Sequence, residues 1–150
     1  MKIYLAGSCD SEHRTMMMSI AKYFREHGQE VYCPFELKIE NAWDYSQENW
    51  SRLVFAHDIE EINKCDLMVA ISPGRIGSAG TNWEIGYAYG RNIPVHVIQI
   101  EDKPTSLMIY CGCTNFINYN SKYGPLSQEL QWICDHGPVE YHGKCTTILT

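Results

Sequence analysis

The sequence predicts an α/β fold, a doubly wound, mainly parallel sheet flanked by helices, and three observations predict it. Segments of strand character alternate along the chain with segments of helical period. The strand segments are apolar throughout, as expected where both faces of a sheet are covered. Gly7-Ser8 follows the first strand and the Gly-rich loop Pro73 to Gly80 a later one, at the carboxyl edge where such sheets hold ligands. Together they specify one domain over residues 1–150 with a Rossmann- or flavodoxin-like sheet.

Lys2 to Ala6 reads as the first strand, and Gly7-Ser8 as the turn after it. From about Glu12 to His27, Met17, Ile20, Ala21 and Phe24 recur at helical spacing, and Gly28 closes the helix. Met16 and Met18 extend that face and its flank. Glu30 to Cys33 reads as a second strand stopped by Pro34, and residues 35–44 have no period. Between Ser46 and Asn63 the stripe Val54, Phe55, Ile59, Ile62 predicts a long amphipathic helix with Asp58 beside the stripe. Leu67 to Ser72 is a buried strand, Pro73 to Gly80 a loop, Thr81 to about Tyr89 a helix, and Val95 to Ile100 a further strand. A short helix near Ser106 to Cys111, a strand near Asn115 to Ile117 and a helix near Pro125 to Cys134 follow, and the last residues show no period.

Composition narrows the function. A formal net charge of -6 with only 12 Lys and Arg is the wrong sign for a nucleic-acid polymer, whose phosphates need a basic face. No apolar run approaches the roughly 18 residues of a membrane span, and the start MKIYLAGS lacks the apolar core of a signal peptide, so a cytoplasmic protein without a membrane partner is expected. Seven cysteines, scattered and without a C-x-x-C pair, read as reduced and mostly buried thiols. Cys111 and Cys113 stand too close for a structural zinc pair, and His13, His27, His57, His96, His136 and His142 have no metal spacing. Neither a metal nor a cofactor is expected.

The carboxyl-edge rule selects residues 7–14, 72–84 and 99–108. The second of these is densest in signal: Gly74, Gly77 and Gly80 let backbone approach a ligand, and the following helix offers free amides to an anion. It lacks the Gly-Lys-Ser/Thr ending of a P-loop and the G-x-G-x-x-G spacing of a dinucleotide site, so spacing alone equally fits a Gly-rich connection. Glu84 is expected in the first turn of its helix, where the dipole favours an ionised carboxylate. Many glutamates so placed serve only the helix. Trp43, Trp50 and Trp83 have the size to stack on a base, although tryptophans at helical spacing more often belong to a core.

Three stretches carry a resemblance: Lys2-Ile-Tyr-Leu-Ala-Gly-Ser8, His57-Asp58-Ile59 ahead of Cys65-Asp66, and Gly80-Thr-Asn-Trp-Glu-Ile-Gly-Tyr-Ala88. In order, over about residues 2–110, the chain resembles the nucleoside 2-deoxyribosyltransferase superfamily. The resemblance implies that Glu84 is the nucleophile of a covalent glycosyl intermediate, that Tyr4 orients it, and that Asp58 meets the leaving base. The chemistry needs those types. Loss of a base leaves oxocarbenium-like charge that a carboxylate stabilises and captures, while a second carboxyl group protonates the departing nitrogen.

Two positions depart from the transferase pattern. Ser78, six residues before Glu84, stands where the transferases resemble one another in carrying Asp, and Ser106 stands where they carry an Asn supplied by a neighbouring subunit. These serines look like the phosphate-binding pair of the 2′-deoxynucleoside 5′-monophosphate N-hydrolases, with Ser8 as a third donor and Asp10 as an opposing charge. The expected substrate-binding set is Gly7, Ser8, Ser78, Gly80, Ser106 and Met108. The expected partners are a small nucleoside or nucleotide and further copies of the chain, in a homo-oligomer with shared active sites. Water and a second base remain equal acceptors, and a non-catalytic nucleotide sensor on the same fold is the competing reading.

Overall fold

A computed structural model describes residues 1–8, 10–143 and 147–150. Its central sheet has the order β2-β1-β3-β4-β6-β7, built from β1 (Lys2–Ala6), β2 (Glu30–Tyr32), β3 (Leu67–Ser72), β4 (Val95–Gln99), β6 (Asn115–Asn118) and β7 (Tyr141–His142). Every neighbouring pair in it is parallel. The order in which strands are added reverses between β1 and β3, the switch point at whose carboxyl end such sheets open a crevice. A two-stranded sheet joins β5 (Thr105–Ser106) to β8 (Ile148–Leu149). The short strands β5, β7 and β8 were not expected, because two residues carry no period and are defined only by the strand they pair with.

The period-2 alternation of each strand divides the core. On one face Ile3, Leu5, Val69, Ile71 and Ile98 meet α1 (Ser11–Glu26) and α5 (Leu126–His136) through Met17, Ile20, Phe24, Leu130 and Ile133. On the other face Tyr4, Ala6, Met68, Ala70, Val95 and Val97 meet α2 (Gln47–Lys64) and α3 (Ala79–Gly90) through Ile62, Ile85 and Ala88. α4 (Leu107–Gly112) lies on this second side. The four residues predicted to bury on α1 are the four that do. Gly28 follows that helix with φ +82°, a conformation that glycine adopts without strain.

Two expectations change. The stripe on α2 is not a core face: Ile62 alone is buried, Val54 and Ile59 are half-buried, and Phe55 is 55% exposed. α2 is anchored on the sheet near its carboxyl end by Ile62, so truncating that side chain to Ala would cost about 2–5 kcal/mol. The earlier stripe residues face a cavity. The second change concerns α3, which starts at Ala79 with Ser78 as its N-cap, two residues before the expected Thr81. Glu84 therefore lies in the second turn, beyond the strongest field of the helix dipole.

The thiols are less buried than expected. Cys33 and Cys113 are buried, Cys65 and Cys134 half-buried, and Cys111 exposed. Cys9 and Cys145 lie outside the described residues, as does part of the C-terminal stretch without period. Among the described residues no helix is long and apolar enough to cross a membrane, and no group of three or more His, Cys, Asp or Glu side chains gathers as a metal site.

Candidate active site

Tyr4 is fully buried in β1 and points to the α2/α3 face, where its hydroxyl donates to Glu84 Oε1 at 2.7 Å. Burial and the Glu84 and Asp58 carboxylates hold this phenol protonated, so it is a fixed donor. One strand over, Tyr32 pairs in register with Tyr4 and donates to Asp58 Oδ1 at 2.8 Å. The two rings stack with centroids 5.5 Å apart and planes at 29°. Thus Tyr4, Asp58 and Glu84 come together, joined by a tyrosine that the sequence did not single out. Its signal is weak: Val31 and Tyr32 alternate faces, but only the β1–β2 register reveals which tyrosine Tyr32 meets.

Glu84 and Asp58 share the wall of a cavity of about 380 Å³, with Trp50, Phe55, Trp83 and Gly80 around it. Phe55 meets Trp83 edge to face at 5.5 Å, and Trp83 stacks on Tyr87. Trp50 and Trp83 are thus cavity aromatics instead of core, while Trp43 is 100% exposed. Gly80 is one helical turn before Glu84 on the same side of α3. A Cβ there would find only Ser78 Oγ, at 3.7 Å, so the glycine leaves the approach to the carboxylate open.

The electrostatics reverse the expectation for Glu84. Burial pushes its pKa up to about 7, the nearby Asp58 charge adds to the shift, and the Tyr4 hydrogen bond opposes it. Desolvation outweighs whatever the helix dipole supplies one turn further on. Asp58 is also raised, by burial, against the opposing Tyr32 hydrogen bond and the nearby His57. Both carboxyl groups are thus held above their ordinary range, and because they lie side by side their titrations are coupled.

The expected phosphate donors are more scattered. Ser78 Oγ accepts the Thr81 amide at 3.4 Å as the cap of α3, and Ser106 Oγ accepts the Met108 amide at 3.3 Å as the cap of α4. Ser106 and Met108 line a separate groove of about 560 Å³ between α3 and α4, together with Arg75. Ser8 donates its hydroxyl to Asp10 Oδ2. Asp10 itself caps α1 through the His13 amide at 2.9 Å, and those hydrogen bonds lower its pKa to about 2. Gly7 packs tightly on α1, where a Cβ would fall 2.5 Å from the Met17 methyl. Of the glycines in the 72–84 segment, Gly74 has φ +120° and lies against the Pro104 carbonyl, so it serves loop packing.

A family model described as nucleoside 2-deoxyribosyltransferase matches residues 3–131. The chain is similar in structure to a 2-deoxyribosyltransferase from the psychrotolerant bacterium Bacillus psychrosaccharolyticus, with 26% identity and a TM-score of 0.67, over 82% of this chain and 95% of that one. It shares the fold of a CMP N-glycosidase from Clostridium botulinum, at 21% identity and a TM-score of 0.61, over 88% of this chain and 99% of the other. No curated protein matches the sequence.

Proposed function

The chain belongs to the nucleoside 2-deoxyribosyltransferase family, and from that premise we propose that it cleaves the N-glycosidic bond of a deoxynucleoside or its 5′-monophosphate through a covalent glycosyl-Glu84 intermediate. The observation that carries the proposal is the Tyr4 hydroxyl 2.7 Å from Glu84 Oε1, beside a second carboxyl group on the same cavity wall. The 2-deoxyribosyltransferase and CMP N-glycosidase named above bracket the two outcomes in view, transfer and hydrolysis.

In the first step Glu84 attacks the anomeric carbon as the C–N bond breaks. The bonding electrons leave with the base, and Asp58 gives the proton that neutralises it. Tyr4 occupies one Glu84 oxygen, leaving the other to form the ester. In the second step a base nitrogen or water attacks the same carbon, the Asp58 carboxylate takes the proton the nucleophile loses, the ester bond breaks, and Glu84 is restored as a carboxylate. Two inversions give net retention. The aromatic walls supply stacking surface for a planar base. Gly7, Ser8, Ser78, Gly80, Ser106 and Met108 remain the proposed substrate-binding set, with Ser106 acting on a neighbouring subunit's site.

The test is incubation with a panel of deoxynucleosides and their 5′-monophosphates, with and without acceptor bases, resolved by chromatography for wild type and Glu84→Gln. Base release or exchange by wild type, lost in the variant, is expected. Binding with no base release would favour the nucleotide sensor, and equal turnover by Glu84→Gln would remove the nucleophile.

A further inference from the structure

Asp58 lies on α2, a helix that touches the sheet chiefly through Ile62, one turn further on. Its backbone thus leaves the carboxyl group at the edge of a cavity, and the contact that fixes it comes from another element. That contact is the Tyr32 hydroxyl on β2, 2.8 Å from Oδ1. Tyr32 is itself held: it pairs in register with Tyr4, its ring stacks on the Tyr4 ring, and Tyr4 is bonded to Glu84. One rigid pair of neighbouring strands therefore sets the positions of both carboxyl groups.

We propose that Tyr32 is a positioning residue for the leaving-base acid, holding Asp58 by Oδ1 so that Oδ2 alone carries the transferable proton into the cavity. This inference rests on the glycosyl-transfer reading above. A protonated carboxyl group has one O–H donor and one carbonyl acceptor. Because the Tyr32 hydroxyl needs an acceptor, it takes the carbonyl oxygen and forces the proton to the other. As the proton passes to the base nitrogen, charge grows on Asp58, and the same hydrogen bond strengthens. Tyr32 thus orients the acid and eases its ionisation in one contact. Other groups also face Asp58: Tyr4 from β1, Glu84 from α3 and His57 on its own helix. Glu61 and Cys33 act on Tyr32 itself. Of these, Tyr32 is the one bonded to the Asp58 carboxyl group.

Tyr32→Phe keeps the ring and its stacking and removes only the donor. The expected result is a kcat about tenfold lower with KM within about twofold, part of the ~10²–10⁴-fold that a positioned general acid supplies. Loss of the donor also favours the neutral form of Asp58, so the basic limb of the kcat profile should move to higher pH. The loss should vanish with a deoxyribosyl donor carrying a 4-nitrophenolate leaving group, which departs without a proton. An unchanged melting temperature separates these effects from unfolding. If Tyr32→Phe turns over natural substrates within twofold of wild type while Asp58→Asn is impaired, the positioning role is overturned and the glycosyl-transfer reading stands. If the loss is as large with the 4-nitrophenyl donor, Tyr32 acts on structure and the proposal is overturned. If wild type releases no base at all, both fall.

Discussion

Tyr4 and Tyr32 stand side by side on neighbouring parallel strands, in register and with rings 5.5 Å apart, and their hydroxyls serve different carboxyl groups. The side chains of β1 and β2 thereby bring together residues more than twenty positions apart in sequence, on α2 and α3. A one-residue slip of β2 would turn Tyr32 to the α1 face and leave Asp58 without its partner. The placement of the two carboxyl groups depends on strand register as much as on residue type.

The raised Glu84 pKa has a kinetic consequence. If the ionised Glu84 carboxylate attacks the sugar, covalent labelling by a 2-fluoro sugar donor with a 4-nitrophenolate leaving group, which needs no acid, should rise with pH through a midpoint near 7. Mass spectrometry of the trapped adduct across pH 5–9 measures it. A midpoint near 4.5 would mean that burial leaves the carboxylate unperturbed.

The same shift has a thermodynamic sign. Glu84 binds its proton more tightly in the folded chain, near pH 7, than in the unfolded chain, where a glutamate titrates near ~4.3. Its favourable share of stability is therefore present below about pH 4 and is lost as pH rises through 7. Glu84→Gln, which keeps an acceptor for Tyr4, should be more stable than wild type at pH 8 by about 3–4 kcal/mol, with the difference shrinking toward pH 5. Urea denaturation at both pH values decides it, and a pH-independent difference would contradict the shift.

These consequences were not legible in the sequence, for a local reason. The predicted α3 began at Thr81 because Ala79-Gly80 reads as loop, yet Ser78 caps a helix that includes both, which moves Glu84 one turn inward. β1, β3, β4 and α1 were legible because each buries a face whose period the sequence repeats. The α2 stripe has the same period but lines a cavity, and apolar residues do not declare whether they face a core or a ligand. Tyr4, Asp58 and Glu84 were singled out through the resemblance to a family, and the structure brings the three together. Tyr32 was not, because its meaning lies in a strand pairing.

Gly80 offers a test that separates function from folding. A Cβ there meets only Ser78 Oγ at 3.7 Å, so Gly80→Ala should fold as well as wild type or gain up to about 1 kcal/mol of helix propensity. Gly80→Leu should fill the approach to Glu84 and lower kcat/KM by more than about tenfold without lowering the melting temperature. A Leu variant with wild-type turnover would place the substrate elsewhere.

Shared sites make an assembly prediction. Ser106 and Met108 line the groove between α3 and α4, apart from the Glu84 cavity. If they complete a neighbour's site, sedimentation should show an oligomer, and mixing inactive Glu84→Gln with an inactive Ser106→Trp chain should restore part of the activity through hybrid sites. A fully active monomer, or mixed variants with no recovery, would contradict the shared site.

The last prediction concerns the 5′ group. Ser78 caps α3 and Ser106 caps α4, so each stands at a helix N-terminus with amides that favour an anion. Ser8 is committed to Asp10, and the Asp10 charge is engaged by the α1 N-terminus and His13, which reduces both the third donor and the opposing charge. Two serines and helix amides should still give charge-assisted hydrogen bonds to phosphate, each contributing ~1.5–3 kcal/mol. Wild type should then prefer a 5′-monophosphate to its nucleoside by at least ~10-fold in kcat/KM, the factor that ~1.4 kcal/mol supplies. Ser78→Asp preserves the cap, because Asp accepts the Thr81 amide as well as Ser does, so the fold should be intact. Its charge should repel phosphate and accept a free 5′-hydroxyl, reversing the preference. Matched kcat/KM values for nucleoside and monophosphate pairs on both proteins are the measurement. Equal or better use of the free nucleoside by wild type would end the phosphate reading and leave a transferase-like 5′ pocket.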